Sequence, residues 1–539
     1  VFNKPPYGMD DGYSTGAGTY TMNLTNDKLL GGDWAKGSAG TGETNFMIST
    51  FNPNAQAGIL AESWEIPDPN TVVFHIRKGI HWHDKPPVNG RELTADDVAL
   101  TFARASEIPS RVNSINRFPG WFESATATDK YTVVIKGNDT LKNRTTMVFE
   151  GIAENQRIVP RDAVEKYGDL RDWRNSCGTG PFMLVDAVPG SSYTLVKNPN
   201  YWRKDPLHPE NQLPYLDGAT FLEIIDVSTR IAAVRTGKVD SIGGDAPVAW
   251  EDAKLLMKTN PELKLAKGLR PRVWLMFMRL DRQLPWAPQD DPDALKVRRA
   301  LHMAIDFNAI KDELYNGEGS TLTWPVEPFY PHLYTPIEEL PEPTRELFEY
   351  HPDKAKELLA EAGYPNGFKC NIVTYAETDK IEMLSIVKDY WSKIGVDLEI
   401  RPYEYAVAKS IQMGGKHEHM IIHHPTLGKP YRHINTDAGS AYNLSMVDDP
   451  YINERLSAIW AHDNAGNEAT RAQLVKELTL QALTQAYVIQ LPVPVVYTFW
   501  QPWVQNYHGE SSIGYQNFYS FVKYIWLDQD LKQEMTGRR

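Results

Sequence analysis

Five histidines crowd one stretch of the chain: His417, His419, His423, His424 and His433. Imidazoles at that density can hold a transition metal, exchange hydrogen bonds with a bound solute, or titrate near neutral pH. The spacing argues against a metal centre. Glu418 is followed directly by His419, so no His-Glu-x-x-His pair exists. On an extended segment His417, His419 and His423 share one face and His424 takes the other, and roughly 13 Å separates His419 from His423, too far for one ion. No metal and no cofactor is expected, and a histidine that hydrogen-bonds a solute fits better. Catalytic patterns fare no better. Ser385-Ile386-Val387-Lys388 matches Ser-x-x-Lys, but Leu384 and Val387 place it inside a helical apolar stripe, and its partner motifs are missing. There is no Gly-x-Ser-x-Gly, and Gly40-Thr41-Gly42 lacks the strand before and the helix after that a dinucleotide fingerprint needs. Asp96-Asp97 and Asp448-Asp449 read as helix-start or turn residues. The chain is not expected to be an enzyme. Aromatic residues reach 11%, with 15 Trp and 26 Tyr, which suits a surface that stacks on solutes as well as a core. Trp34, Trp274, Tyr497, Phe499, Trp500 and Trp503 are candidates for that role.

The elements that must position these residues alternate between strand and helix. Thr71–Arg77 and Lys130–Lys136 have period two, and Thr94 with Asp97 makes a capping box ahead of Val98 and Phe102. Phe182-Met183-Leu184-Val185 and Tyr193–Val196 are strand-like after the turn Gly178-Thr179-Gly180-Pro181. Asp291-Pro292 opens a helix carrying Leu295, Leu301 and Ile305, and Asp306 restarts one with Ile310 and Leu314. His351-Pro352-Asp353 opens another, closed by Gly363. Ile381–Lys393 sets Leu384, Val387, Trp391 and Ile394 on one stripe, and Val396, Leu398 and Ile400 then alternate as a strand. This is mixed α/β with βαβ-like units.

The 539 residues suggest three or four domains at ~150 residues each. A formal charge of −13 repels phosphate, so nucleic acid and anionic membrane are not expected as partners. The most apolar run, Val493–Trp500, is too short to span a bilayer. The chain starts at Val1 with no basic or apolar leader, and is read as one from which a targeting segment has been removed. Cys177 and Cys370 are expected in different domains as two separate thiols.

Four groups of segments carry a resemblance. They are Leu60-Ala61-Glu62-Ser63-Trp64-Glu65 through His83-Asp84 to Leu93-Thr94-Ala95-Asp96-Asp97-Val98; Gly178-Thr179-Gly180-Pro181-Phe182 with Asn198-Pro199-Asn200-Tyr201-Trp202 and Pro214-Tyr215-Leu216-Asp217; Val297-Arg298-Arg299-Ala300-Leu301 with Ala304-Ile305-Asp306; and Pro352-Asp353-Lys354-Ala355-Lys356-Glu357-Leu358-Leu359 ending in Ala362-Gly363-Tyr364. In this order they resemble the dipeptide/oligopeptide/nickel class of bacterial solute-binding proteins, the soluble receptors of ABC importers. Individually the segments are capped helices and tight turns, so they identify a scaffold and not a ligand site.

The resemblance implies an α/β, bilobal periplasmic-binding-protein fold of type II, in its enlarged peptide-binding form, with two interlobe crossing strands and an extra domain on the first lobe. The expected parts are the first lobe over 1–50, its extra domain over 51–174, the first lobe again over 175–275, the second lobe over 276–489, and the first lobe's return over 490–539. Crossings are expected at Arg272–Met278 and Ile489–Thr498. Ligand capture by hinge closure, delivery to an ABC permease, a monomer, and a periplasmic or extracellular location follow from the same resemblance. Membrane contact is expected only through a lipid anchor removed from this chain.

In peptide-binding members an aspartate in a Trp- and Asp-rich loop of the second lobe pairs with the ligand's ammonium. Here the matching stretch reads His423-His424-Pro425-Thr426-Leu427-Gly428-Lys429-Pro430, with no carboxylate before Asp437. A buried ammonium without a counter-charge costs several kcal/mol. The expected ligand is therefore a peptide or another small organic solute, the alternatives being an oligosaccharide, an aromatic solute or a metal chelate, or an enzyme or sensor on the same fold. The ligand-binding residues expected are Trp34, Trp274, Met278, Arg279, His423, His424, Lys429, Asp437, Tyr497 and Trp500.

Overall fold

Alternation of apolar and polar residues builds the first sheet. Strands β1 (Ala61–Asp68), β2 (Thr71–Ile76), β3 (Phe122–Asp129) and β4 (Thr132–Gly137) form an antiparallel sheet in the order β1-β2-β4-β3. Val72 faces Ile135 and Phe74 faces Val133, and all four are buried. Each such side chain contributes about 1.5–3 kcal/mol by leaving water. The helix α1 (Ala95–Glu107) lies between β2 and β3 in the chain, and its start is fixed as the sequence implies: Thr94 N donates to Asp97 Oδ2 at 3.1 Å. Arg91 then clamps the same carboxylate with two bonds of 2.8 and 2.6 Å.

The computed structural model describes residues 9–13, 20–47, 49, 53–68, 70–108, 122–138, 153–243, 248–270, 273–330, 332–423, 443–465 and 468–538. The chain divides into two units, residues 1–268 with 496–539, and residues 269–495.

The first unit also holds a three-stranded antiparallel sheet, β5 (Phe182–Val188), β6 (Ser192–Lys197) and β7 (Gly218–Leu222). The turn before it needs glycine for space. A Cβ on Gly178 would lie 1.8 Å from Thr25 O, and one on Gly180 2.6 Å from Thr25 C. His83 clamps this turn from the other side. Its N–H donates to Gly178 O at 2.8 Å, its Nδ1 accepts from Gly178 N at 3.2 Å, and its Nε2 meets Gly180 O at 3.1 Å. That pattern needs a neutral ring, and burial lowers the His83 pKa to about 4.

The second unit is built on a five-stranded sheet. Its strands are β8 (Trp274–Met278), β9 (Lys369–Tyr375), β10 (Asp397–Tyr403), β11 (Met420–His423) and β12 (Val488–Leu491), in the order β10-β9-β11-β8-β12. β9 runs parallel to both β10 and β11, and β8 is antiparallel to β11 and β12. Helix α2 (Pro292–Met303) starts at the expected Asp291 cap, whose Oδ1 accepts from Asp293 N at 2.8 Å. Helix α3 (Thr378–Ser392) joins β9 to β10 and buries Met383, Leu384, Val387 and Trp391; the Trp391 indole donates to Leu301 O at 2.9 Å.

The first expected crossing, Arg272–Met278, is occupied by β8, which pairs with β12 through Trp274 opposite Leu491. Pairing on both sides holds these residues inside the second unit's sheet, so the division falls earlier, at 268/269, and later, at 495/496, within β13 (Val493–Trp500). Cys177 in the first unit and Cys370 on β9 are both free and buried, and burial pushes each thiol up to about 12. Among the described residues no helix is long and apolar enough to cross a membrane.

Candidate functional site

One edge of the second unit's sheet gathers the side chains best suited to hold a solute. Register fixes this. Tyr403 pairs with Tyr375, His423 with Leu275, and Leu275 with Gln490. The parallel register that sets Val373 beside Ile421 brings Tyr375 level with His423. Tyr403, Tyr375, His423, Leu275 and Gln490 therefore form one row across all five strands. The row marks the carboxyl ends of β9, β10, β11 and β12, the edge at which open α/β sheets receive ligands. It is also the edge where the chain enters this unit before β8 and leaves it after β12.

Each member of the row is held in place. Tyr375 donates to Gln412 Oε1 at 2.8 Å and stacks on Tyr405 with ring centroids 5.3 Å apart. Tyr403 and Tyr405 stay exposed at 37% and 52%, leaving aromatic faces open beside the row. Lys380 lies 5.6 Å over the Tyr375 ring and pairs with Glu377. His423 is buried, with its ring 6.5 Å from Phe277. Gln490 is buried and accepts from Thr323 N at 2.9 Å.

Of the residues expected from sequence, Trp274 stands one position from this row. It is buried under the Arg270 guanidinium at 5.6 Å, and Arg270 pairs with Asp379 at 3.6 Å. Met278 and Arg279 lie at the other end of β8, because a strand carries its two ends apart. Met278 is buried opposite Met420, and Arg279 grips Asp281 at 2.7 and 2.5 Å while donating to His417 O at 3.2 Å. These contacts fasten a loop. In the first unit Trp34 is buried and stacks flat on Tyr524 at 4.4 Å. Tyr497 stacks on Phe499 at 6.3 Å, and Trp500 meets Tyr507 edge-on at 4.8 Å. The indole N–H groups of Trp34 and Trp500 are buried and find no hydrogen-bond partner among the described residues. His424, Lys429 and Asp437 lie outside the described residues.

The shared strand face expected for His417, His419 and His423 does not form, because β11 begins only at Met420. His417 is buried with Nε2 at 2.9 Å from Leu444 O, and burial lowers its pKa to about 4. His419 Nδ1 accepts from Asn371 N at 3.1 Å. These two sit at the amino-terminal edge of β9 and β11, beside a cleft of about 610 Å³ lined by Lys369, Asn371, Asp397, Glu399, Arg401 and Glu418. Arg401 pairs with both Glu399 and Glu418 there, at 2.8 and 2.7 Å. Among the described residues no three His, Cys, Asp or Glu side chains are placed to hold a metal ion.

Sequence reasoning missed Tyr375, Tyr403 and Gln490. The available signal was weak: a lone polar residue inside the apolar run Val488-Ile489-Gln490-Leu491, and a tyrosine ending each of two strands.

The family model for bacterial extracellular solute-binding proteins, family 5, matches residues 56–427. The chain belongs to that family. It is thus a solute-binding component of ABC import, as its segments suggest. Among curated family 5 relatives, heme-binding protein A of Haemophilus influenzae is 28% identical over 488 residues, covering 85% of this chain and 83% of its own. Di/tripeptide-binding protein 1 of Pseudomonas aeruginosa is 25% identical over 491 residues, covering 85% and 84%. Among solved structures, the periplasmic binding protein DppA of Helicobacter pylori with peptide STSA superposes with a TM-score of 0.72 at 22% identity, covering 98% of this chain and 96% of that one. That likeness carries the type II, mixed α/β fold for this family 5 protein.

Proposed function

We propose that the protein captures a peptide or another small organic solute outside the cytoplasm and hands it to an ABC permease without chemically altering it. The observation that carries this reading is the row Tyr403, Tyr375, His423, Gln490 at the carboxyl edge of the second unit's sheet. It offers hydrogen-bonding side chains and open aromatic faces. The two units act as the two lobes, the chain segments near 268 and 495 as hinges, and residues 51–174 as the added domain of the first lobe. Trp274 and His423, with Trp34, Tyr497 and Trp500 from the first unit, are proposed ligand contacts; His424, Lys429 and Asp437 join them from the loop after β11. The protein acts as a monomer. The relatives named for di/tripeptides and for heme support small organic ligands of either kind.

Mass spectrometry of whatever copurifies with the folded protein, followed by calorimetric titration with tri-alanine, reduced glutathione and hemin, tests the reading. Binding of one of them without turnover is expected. Chemical conversion of a bound probe, or binding of none, would refute it.

A further inference from the structure

On one loop of the second unit and on the strand beside it lie four buried polar atoms that find no hydrogen-bond partner among the described residues. They are Thr323 Oγ1, Trp324 Nε1, Glu327 Oε2 and Gln490 Nε2. Their residues are exposed by only 1%, 4%, 5% and 1%. A buried polar group left unpaired costs about 1–3 kcal/mol, so four in one neighbourhood need an explanation.

One hydrogen bond ties the loop to the strand. Thr323 N donates to Gln490 Oε1 at 2.9 Å, which fixes the amide and turns its NH₂ away from that bond. Trp324 follows Thr323 directly, and Glu327 comes three residues later, so the loop presents three of the four groups. Gln490 presents the fourth, and it belongs to the sheet-edge row. An indole N–H and an amide NH₂ can only donate, and a threonine hydroxyl can do so. Burial raises the Glu327 carboxyl to about 8, so it too carries a proton at neutral pH. Among the described residues none of the four has a hydrogen-bond acceptor.

We propose that Thr323, Trp324, Glu327 and Gln490 form a donor wall that receives an oxygen acceptor of the solute, a carboxylate or an amide carbonyl. The inference rests on the solute-binding reading and adds to it which part of the solute the second unit recognises. Beyond the lone polar Gln490 in its apolar strand, the sequence does not mark these residues, because the unpaired state is a property of the packing around them. The wall also accounts for Gln490 in an otherwise apolar strand.

Thr323→Val and Trp324→Phe test this, since each deletes one unpaired atom and leaves the bond from Thr323 N to Gln490 intact. Without ligand, Thr323→Val is expected to melt about 2–4 °C higher than wild type, because an uncompensated buried group has gone at nearly constant volume; Trp324→Phe also removes core volume and is read by affinity alone. Each variant is expected to bind about tenfold more weakly to whichever of tri-alanine, reduced glutathione or hemin the wild type holds. A lower melting temperature for Thr323→Val would show that interior water already satisfies the hydroxyl, and would overturn the proposal. Unchanged affinity for a probe that wild type binds would overturn it as well. If wild type binds none of the three probes, the proposed ligand class fails separately; the thermal measurement then decides the wall alone, a rise sustaining it and a fall removing it.

Discussion

Replacing Glu327 by Gln changes how stability depends on pH, and the size of the change follows from burial. The carboxyl is raised from its ordinary 4.5 to about 8 by desolvation, with only a hydrogen bond from its own backbone to offset it. Below pH 4.5 it is protonated in the folded and unfolded chain alike, and costs nothing. Between 4.5 and 8 the unfolded chain ionises while the folded one does not, so stability falls as pH rises. The linkage relation puts this loss at about 1 kcal/mol at pH 5 and about 3 kcal/mol at pH 7. Glutamine has the same shape and cannot ionise. Urea denaturation followed by tryptophan fluorescence at pH 5, 6 and 7 should show the variant gaining on wild type by about 2 kcal/mol across that range. Other titrating groups, Glu154 with its pKa raised to about 7 among them, act equally in both proteins and cancel in the difference. A difference that does not change with pH, or a variant less stable than wild type at pH 7, would refute a proton on Glu327.

Replacing His423 and His424 together by Ala should weaken solute binding by on the order of 1–3 kcal/mol with the fold intact, measured by calorimetry. His83→Ala should do the reverse: it frees the groups of Gly178 and Gly180 that the ring now satisfies, lowering stability by about 2–4 kcal/mol in denaturation while affinity holds. Thiol titration of the denatured, unreduced protein should find two free groups, and almost no reaction before denaturation, because Cys177 and Cys370 are buried. Small-angle scattering should record a smaller radius of gyration with a bound solute, and an unchanged one would count against hinge closure.

The scaffold was legible because its signals are local. The Thr94–Asp97 cap, the Asp291-Pro292 helix start and the alternation through Val72, Phe74 and Ile76 each depend on residues within a turn or a strand, and each forms as read. The site was legible only in part. His423 and Trp274 stand on or beside the sheet-edge row, but Met278 and Arg279 were carried to the far edge by the length of β8. Tyr375, Tyr403 and Gln490 come together only through strand order, which periodicity does not encode. Histidine density misled for a related reason: His417 and His419 precede the strand and spend their nitrogens on Leu444 and Asn371.

The way the two units share the chain bears on when each can fold. The second unit is continuous, residues 269–495, and can close its sheet as soon as β12 has been made. The first cannot. Glu154 Oε2 accepts from Tyr515 N, the Lys28 ammonium and the Arg157 guanidinium both donate to Gln516 O, and Trp500 and Trp503 fill a core begun by Met22 and Leu24. Until those late residues arrive, Glu154 and Arg157 hold only their early partners, Gln56 for the one and Asp11 and Asn23 for the other. During synthesis the earlier half of the first unit must therefore wait, incomplete, while an entire inserted unit is made and folds ahead of it. Truncation near residue 500 would leave the second unit whole and the first unable to finish, which makes the segment from Trp503 to Gln516 a checkpoint for assembly.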